Sequence, residues 1–343
     1  MAAFVLSEPS HMNNTVNLPK VIFGTSSLGN LYVALNDADK CAIVKECVQH
    51  SAKPVVFDTA GKYGAGLALE ALGKYLKQLG VKEEDVLISN KLGWYRIPLT
   101  TPEPTFEPGV WKDIQYDAEQ RISYNGILEC FEQGNQLLNG YHAGLVSVHD
   151  PDEYLAAATN ENDRLKRFEN IKDAYSALFE LKAQGKVKAV GVGAKNWMVI
   201  KQITDSIHLD WVMIANSMTL HSHPDSLLHY MQELKNSNTL IINSAVFNGG
   251  FLTGGDYYNY KLVEEGNQNQ KDLLQWRKDF FVVCAQYNIQ PAHACVQFGI
   301  NVPGVTSIAL STSKAEKVKG NIDMANINIP GSFWGTLRER QLI

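Results

Sequence analysis

Four polar side chains stand at or just after the ends of short, mainly apolar runs in this sequence. They are Asp58 after 54–57, Tyr63 five residues further on, Lys91 after 86–90, and His149 after 145–148. A run that is buried on both faces of a sheet does not hold an unpaired charge, so each charge at its end needs a partner or a task. A carboxylate, a phenol, an amine and an imidazole that lie together form a set that could transfer a proton.

The elements that would hold these residues alternate between strand and helix along almost the whole chain. Strand-like runs lie near 20–24, 55–58, 86–91, 144–149, 189–193, 211–214, 240–244 and 305–309. Helical patterns lie at 38–51, 67–79, 124–138, 164–184, 199–205, 225–236, 271–287 and 314–324. Such alternation calls for a parallel sheet, and no linker or change of composition divides it. The sequence therefore predicts one domain over 1–343, an α/β fold with a single (β/α)8 TIM barrel.

Active sites of such barrels lie at the C-terminal face, where the strands end, and the four polar residues fall there. Two connections at this face are longer than a barrel requires, 92–123 and 249–269. Loops of that length are usually lids or binding loops, and plain surface insertions are the alternative. The aromatic residues of the first loop predict a substrate wall made by Trp94, Tyr95 and Trp111.

The bulk composition narrows the class of protein. The 343 residues are 45% apolar and 20% charged, as in an ordinary globular protein. A net charge of −5 without a basic block argues against nucleic acid and anionic membrane surfaces as partners. No apolar run approaches the roughly 20 residues that span a bilayer, and residues 1–18 lack the features of a signal peptide. Five cysteines without a C-x-x-C pair indicate reduced thiols in the cytoplasm and no metal site.

The segment 57–73 resembles the signature segment of the aldo-keto reductase superfamily, with Asp58 and Tyr63 five residues apart. Lys91 and His149 end the next two predicted strands, in the order that this family has. The resemblance covers nearly the whole chain. It implies an enzyme that transfers a hydride between a nicotinamide cofactor and a small sugar or aldehyde.

A narrower resemblance lies in Gln-Tyr-Asp at 115–117, which leads into Tyr-Asn-Gly-Ile-Leu at 124–128, and in His-Asp-Pro-Asp at 149–152. These segments look like the branch that holds the D-threo-aldose 1-dehydrogenases (L-fucose and galactose dehydrogenases) and pyridoxal 4-dehydrogenase. The branch implies oxidation of C1 of an aldose to the lactone. Reduction of an aldehyde or ketone and oxidation of pyridoxal are the alternatives, because direction also depends on cofactor ratio and substrate supply.

The family's division of labour agrees with the chemistry of the residues. A free tyrosine has a pKa of about 10, too high for an efficient base near neutrality. A nearby cation favours the phenolate, and Lys91 is the candidate for that cation. Asp58 would keep this lysine charged, and His149 would donate a hydrogen bond to the substrate oxygen. The resemblance thus implies that Tyr63 is the acid or base and that in reduction it protonates the carbonyl oxygen.

Each of the four residues also has a purely structural interpretation when it is taken alone. Asp58 could be a helix cap or turn residue, Tyr63 a partly buried aromatic, Lys91 an ordinary charge at the barrel rim, and His149 a turn residue. Their joint occurrence in the family's order favours the functional interpretation. Two other classes of protein stay open: a nicotinamide-binding regulatory subunit, and an aldolase or isomerase with a lysine Schiff base.

No G-x-G-x-x-G follows a predicted strand, so a Rossmann cofactor site is not expected. Barrel enzymes hold phosphates instead with loops after their last two strands and a nearby helix N-terminus. The resemblance implies that Phe247 stacks on the nicotinamide, that Asn216 and Asn196 bind its carboxamide, and that Asn321 contacts the adenine. The full set of predicted cofactor-binding residues is Asn196, Asn216, Ser244, Phe247, Gly249, Leu252, Ser311, Thr312, Ser313, Lys317 and Asn321.

Phe247 could instead be a plain core aromatic, and Lys317 could lie on a solvated helix face. The cofactor itself, NAD or NADP, is not decided by this set. Many members of the family that prefer NADPH carry a basic residue where Ser311 falls, so its absence slightly favours NAD. Lys314 and Lys317 are the residues that could compensate.

Overall fold

Eight parallel strands close into a barrel in the computed structural model, which describes residues 16–264 and 266–343. Within these residues the strands are β1 (Val21–Gly24), β2 (Val55–Ala60), β3 (Val86–Leu92), β4 (Trp94–Pro98), β5 (Tyr116–Gln120), β6 (Ala143–His149), β7 (Ala189–Ala194), β8 (Trp211–Ala215), β9 (Leu240–Ser244), β10 (Tyr257–Tyr258), β11 (Lys261–Leu262) and β12 (Val305–Leu310). The barrel runs β1–β12–β9–β8–β7–β6–β3–β2, and β2 pairs with β1 to close it. The predicted (β/α)8 barrel is confirmed.

The helices surround this barrel and connect its strands. Among the described residues they are α1 (Asp37–His50), α2 (Leu67–Gln78), α3 (Tyr124–Leu137), α4 (Pro151–Ala156), α5 (Glu161–Ala183), α6 (Trp197–Thr204), α7 (Asp225–Asn236), α8 (Gln268–Gln286), α9 (Pro291–Asn301), α10 (Val318–Met324) and α11 (Gly331–Glu339). Side-chain caps explain several of the starts, because Asn36, Ser123, Asn160 and Asn267 each accept a hydrogen bond from a backbone N–H of the first turn.

Three of these helices were not predicted from the sequence: α4, α9 and α11. The most important is α9, which packs against β12 and completes the crossover from β9. Its sequence, Pro-Ala-His-Ala-Cys-Val-Gln-Phe-Gly-Ile-Asn, is apolar on most sides because much of the helix is buried, so it lacks the stripe of an amphipathic helix. Proline in the first turn is compatible with a helix start.

Both long connections contain an antiparallel hairpin. β4 pairs with β5 inside the first connection, which leaves 99–115 as the loop between them. β10 pairs with β11 inside the second. Four of the five cysteines are buried and all are free thiols. Among the described residues no helix is both long and apolar enough to cross a bilayer, and the prediction for residues 1–18 falls almost wholly outside the described part.

The interior of the barrel changes from apolar to polar towards its C-terminal end. The lower interior is filled by Ile22, Val56, Leu87, Leu145, Trp211 and Ile242, all nearly fully buried. Side chains of a strand that point the same way are two residues apart. Two positions after Val56 the inward residue is Asp58, and four positions after Leu87 it is Lys91. The polar residues therefore form the top of the barrel core.

Gly191 on β7 is paired with Trp211 on the neighbouring strand β8, and the close approach of the indole needs a residue without a side chain. A Cβ at Gly191 would overlap the indole and lie 2.5 Å from the carbonyl oxygen of Trp211. We expect Gly191→Ala to lower the free energy of unfolding by about 1–3 kcal/mol in urea titrations. Gly335→Ala is the control: α11 has open space at Gly335, so alanine should be neutral or stabilising by up to about 1 kcal/mol. Equal effects of both substitutions would contradict this account of the core.

Candidate active site

A buried ion pair lies at the centre of the C-terminal face. Lys91 Nζ is 2.5 Å from Asp58 Oδ2, and both side chains are at most 5% exposed. Lys91 also donates to the carbonyl oxygen of Thr59 at 3.2 Å, and Ser89 Oγ donates to Asp58 Oδ1 at 3.2 Å. Burying a charge is costly unless it is paired and hydrogen-bonded, and this pair meets both conditions.

Tyr63 reaches the ion pair from the loop that follows β2. Lys91 Nζ lies 4.7 Å from the centroid of the Tyr63 ring. The next residue, Gly64, has φ +61°, and a Cβ there would overlap the backbone of Gly29. Glycine is the residue that accepts both the left-handed conformation and the close approach. The tight turn thus delivers the phenol ring to the lysine.

The electrostatic surroundings of Tyr63 differ from the sequence-based expectation. Burial raises the pKa of Tyr63 well above its ordinary value of 10, and the carboxylates of Asp58 and Asp150 raise it further. Lys62 acts in the opposite direction. The expected effect of Lys91 in favour of the phenolate does not outweigh burial. In this structure the phenol therefore holds its proton near neutral pH, the state that suits a proton donor.

His149 stands beside the phenol ring at the end of β6. The centroids of the His149 and Tyr63 rings are 5.6 Å apart and their planes lie at 82°. Burial lowers the pKa of His149 well below 6.5, and the ammonium groups of Lys91 and Lys62 lower it further. The imidazole is therefore neutral and carries one N–H donor. Among the described residues its Nδ1 has no hydrogen-bond partner.

Five charged side chains next to these groups form what we call the rim charge cluster. They are Lys62, Glu107, Asp150, Glu153 and Lys195. Lys62 Nζ lies 2.8 Å from Glu107, 3.0 Å from Asp150 and 2.9 Å from Glu153, and Lys195 pairs with Glu153. Burial alone would lower the pKa of Lys62, but the three carboxylates raise it, so the ammonium stays charged.

No role of any member of this cluster was predicted from the sequence. A usable signal was present for two of them, because Lys62 directly precedes Tyr63 and Asp150 directly follows His149. A charged residue that is adjacent in the chain to a predicted rim residue lies at the same end of the barrel, close to the same buried groups. Glu107 lies in the loop between β4 and β5, where no periodicity indicates which side chains face the barrel.

Two of the three residues predicted for a substrate wall lie next to the site. The rings of Trp111 and Tyr63 are 5.7 Å apart, and the indole is only 7% exposed. The ring of Trp94 lies 5.3 Å from Lys62 Nζ and 5.8 Å from the Phe106 ring. The two indoles thus border the space beside the phenol and the rim charge cluster.

The residues predicted for the cofactor lie mainly on the other half of the rim. Asn216 follows β8, Ser244 ends β9 with Phe247 and Gly249 after it, and Ser311, Thr312 and Ser313 follow β12, with Lys317 and Asn321 further along. Asp58, Lys91 and His149 belong to β2, β3 and β6, which are consecutive in the barrel. The rim therefore divides into an arc of ionisable groups and an arc whose predicted residues are mainly amides, hydroxyls and an aromatic ring, with Lys317 as a charged member.

Asn216 tests whether this second arc fits a nicotinamide cofactor. Its backbone N–H donates to the carbonyl oxygen of Ser244 at 3.2 Å, with φ +61°. Its side chain is buried, and Oδ1 has no hydrogen-bond partner among the described residues. A buried polar atom without a partner is costly, and the N–H of a ligand amide would satisfy it. Together with the half-buried ring of Phe247, the residues present fit such a cofactor.

Three residues that were predicted for the site use their side chains for structural contacts. Tyr95 stacks on Arg121, with 3.9 Å between the ring centroid and the guanidinium carbon, and packs against the outer core. The Asn196 side chain is the N-cap of α6 and accepts from Met198 N–H at 3.0 Å. Leu252 is fully buried. These three side chains are therefore engaged in contacts within the protein.

An α/β barrel with ionisable groups gathered at the C-terminal ends of its strands belongs to the class of barrel enzymes. Residues 20–341 match the profile of the Aldo/keto reductase family. The match spans almost the whole chain, so the protein belongs to this family and is an oxidoreductase. Members of the family use NAD or NADP.

Two curated relatives cover nearly the whole chain at low identity. A pyridoxal 4-dehydrogenase from Microbacterium luteolum is 26% identical over 334 residues, 93% of each chain. A D-threo-aldose 1-dehydrogenase from a Pseudomonas species is 24% identical over 347 residues, 98% of each chain. Both belong to the branch that the sequence analysis named.

Solved structures of the family share the fold. A glycerol dehydrogenase from Gluconobacter oxydans superposes with a TM-score of 0.69 at 15% identity, covering 95% of this chain and 92% of the other. An aldo-keto reductase from Bacillus halodurans, in its holo form, gives 0.67 at 18% identity, covering 94% and 90%. At such identities the likeness concerns the barrel and not the substrate.

The lowered pKa of His149 predicts a pH dependence of stability. Below about pH 6.5 the unfolded chain binds a proton at this imidazole that the folded protein does not, so the free energy of unfolding falls as the pH falls. The loss approaches about 1.4 kcal/mol per pH unit. Between pH 7.5 and 5.5, we expect urea titrations to show a loss about 1 kcal/mol smaller for His149→Gln than for the wild type. His229→Gln, at an exposed histidine, should follow the wild type.

Proposed function

We propose that this enzyme oxidises C1 of a neutral aldose to the lactone with NAD or NADP, with Tyr63 as the general acid and base. One observation carries the proposal: the buried pair of Lys91 and Asp58 lies against the Tyr63 ring, with the neutral His149 beside it. A phenol between an ammonium group and an imidazole has the partners that proton exchange with a substrate hydroxyl requires.

The proton leaves the hydroxyl of the substrate as the hydride leaves its carbon. Tyr63 Oη takes that proton in oxidation and returns it to the carbonyl oxygen in reduction. Lys91 stabilises the phenolate, and Asp58 holds the lysine in place at 2.5 Å. His149 donates its single N–H to the reacting oxygen and stabilises the charge that develops there.

The cofactor, when bound, would supply or accept the hydride, and the positive charge of an oxidised nicotinamide would favour the phenolate together with Lys91. Asn216 would bind the carboxamide through its free Oδ1. Phe247 would cover one face of the ring, and Ser311 with its neighbours would hold a phosphate-containing part. These residues orient the group and exclude water from the reacting atoms.

A neutral sugar is the substrate class that the rim supports best. The rim charge cluster has three carboxylates and two ammonium groups, so its net charge is −1, and both ammonium groups are already paired. A polyhydroxyl ligand offers donors and acceptors to such a surface, whereas an added phosphate or carboxylate would meet like charge. The similarity to the D-threo-aldose 1-dehydrogenase points the same way.

Reduction of an aldehyde is the second candidate, and the raised pKa of Tyr63 favours it. A phenol that holds its proton is ready to protonate a carbonyl oxygen. The similarity to the pyridoxal 4-dehydrogenase adds pyridoxal to the substrates to compare.

The experiment that tests the function measures turnover with NAD and NADP on L-fucose, D-arabinose, L-galactose, pyridoxal and a phosphorylated or carboxylated analogue of a sugar that reacts. We expect kcat/KM at least about tenfold higher for the neutral sugar than for its anionic analogue, because charges near a protein surface interact by more than 1 kcal/mol at close range. Equal rates for both forms would reject the proposed charge selection, and no oxidation of any sugar would reject the aldose assignment.

Tyr63→Phe should remove the acid and base while keeping the ring. We expect kcat to fall by about 10²–10⁴-fold and the Kd of the cofactor, measured by tryptophan fluorescence, to stay close to the wild-type value. Tyr287→Phe is the matched control, because its hydroxyl bonds to Thr336 on α11 and not to any group of the site. Full activity of Tyr63→Phe would exclude the proposed proton transfer.

The exposed Ser311 gives a prediction for cofactor choice. Without a positive charge there, NAD should bind at least as tightly as NADP, and Ser311→Arg should shift the ratio of Kd values towards NADP by about tenfold, the size of one charge-assisted hydrogen bond. Fluorescence titration with both nucleotides measures this ratio. Ser206→Arg places the same charge at the opposite end of the barrel and should leave the ratio unchanged. A parallel shift in both variants would mean that only net charge matters.

A further inference from the structure

A single carboxylate joins the substrate wall to the loop that carries the phenol. Glu107 Oε1 lies 2.8 Å from Lys62 Nζ. The second oxygen, Oε2, accepts a hydrogen bond from the indole Nε1 of Trp111 at 2.7 Å. The two oxygens of one side chain therefore hold two different donors in fixed positions.

Each of the two donors is a neighbour of Tyr63, one along the chain and the other in space. Lys62 is the residue before it in the chain, and its side chain is only 4% exposed. Trp111 faces the phenol, with 5.7 Å between the ring centroids and 35° between the planes. Glu107 thus closes a ring of contacts that runs from the phenol through the lysine and the indole and back to the phenol.

The charge of Lys62 does not need Glu107. Asp150 and Glu153 lie 3.0 Å and 2.9 Å from the same ammonium and already offer two negative charges. Among the described residues, neither of them accepts a hydrogen bond from Trp111, whereas Glu107 does. The distinctive property of Glu107 is the bridge between lysine and indole.

The side-chain type at this position follows from its partners. Both Lys62 and the indole of Trp111 are donors and neither can accept. A carboxylate has two acceptor oxygens and serves both, whereas the amide of glutamine has only one. Glu107 also holds φ +45°, a conformation that a residue other than glycine keeps only where its surroundings impose it.

We propose that Glu107 is a positioning residue that fixes the distance between the aromatic wall and the acid/base residue, and so sets which substrates fit between Trp111 and Tyr63. The inference rests on the proposed role of Tyr63. In this role Glu107 acts on substrate binding through Trp111. Loss of the bridge releases the indole, which weakens substrate binding more than it slows the chemical step.

A first experiment tests the hydrogen bond between Glu107 and Trp111 without measuring enzyme turnover. Hydrogen exchange of the Trp111 indole N–H is measured by NMR on the full chain labelled with ¹⁵N-tryptophan, with Trp111→Phe to assign the signal. We expect exchange at least about tenfold faster in Glu107→Gln and Glu107→Ala than in the wild type, because a protected hydrogen bond is lost or shared. Glu153→Gln removes the same charge beside Lys62 without touching the indole and should exchange at the wild-type rate.

A second experiment measures kinetics in a double-mutant cycle. We expect Glu107→Gln to raise KM about tenfold, the value of one hydrogen bond, with kcat changed less than threefold. In the Trp111→Phe background, which lacks the indole donor, the same substitution should change KM less than twofold. Glu153→Gln should have the same effect in both backgrounds, because independent sites add.

The outcomes separate the inference from the proposed function. Unchanged indole exchange in Glu107→Gln, or an equal rise of KM with and without the indole, overturns the positioning role. Effects of Glu153→Gln that match those of Glu107→Gln in both experiments overturn it as well, because charge alone would then explain them. If no sugar or aldehyde is turned over while the indole exchange behaves as expected, the proposed function fails and the bridge between Glu107 and Trp111 stands.

Discussion

The ion pair between Asp58 and Lys91 is the constraint on which the rest of the site depends. Taking either charge out of water alone costs several kcal/mol, so neither residue is tolerable in the barrel core without the other. The pair requires β2 and β3 to be neighbours in a fixed register, which places Ala60 opposite Lys91 and Asp58 opposite Ser89. It also requires space for the lysine stem, because a Cβ at Gly193 on β7 would lie only 3.0 Å from Lys91 Cδ. The ammonium group of Lys91 therefore constrains three barrel strands, β2, β3 and β7.

The second constraint is the competition between burial and charge at the phenol. Burial and two carboxylates raise the pKa of Tyr63, while Lys62 opposes them. His149 is neutral for the same reason that Tyr63 is protonated, because the surroundings disfavour any uncompensated charge. In such a site Tyr63 keeps its proton unless another positive charge comes close to the phenol and lowers its pKa. On the proposed assignment, the same residues would serve both oxidation and reduction, and the direction would depend on which form of the cofactor is bound.

The sequence predicts the barrel well because its strands are short apolar runs buried on both faces, and because the polar residues at their ends are exceptions to that rule. The same logic fails for α9, which is too buried to show an amphipathic stripe, and for the two hairpins inside the long connections. Tyr95 and Trp94 are neighbours on β4, and alternation along a strand sends their side chains to opposite faces. The pairing of β4 with β5 decides which face of β4 meets the barrel, and this pairing was not predicted. Trp94 and Tyr95 were therefore both assigned to the substrate wall from their aromatic character alone.

The rim charge cluster shows why the partners of an ion pair are difficult to predict from the sequence. Lys62 and Asp150 adjoin predicted residues, but Glu107 comes from a loop between two strands of a hairpin, and nothing in its neighbourhood indicates contact with Lys62. Such a contact has a consequence for the enzyme. In the proposed mechanism, Asp58, Lys91 and His149 are fixed by barrel strands and Tyr63 by the turn after β2, whereas the wall that faces them would be fixed by one loop carboxylate. Changes in the loop 99–115 would therefore act on the pocket first through Trp111, which contacts Tyr63, whereas the pair of Lys91 and Asp58 is held by the register of β2 and β3.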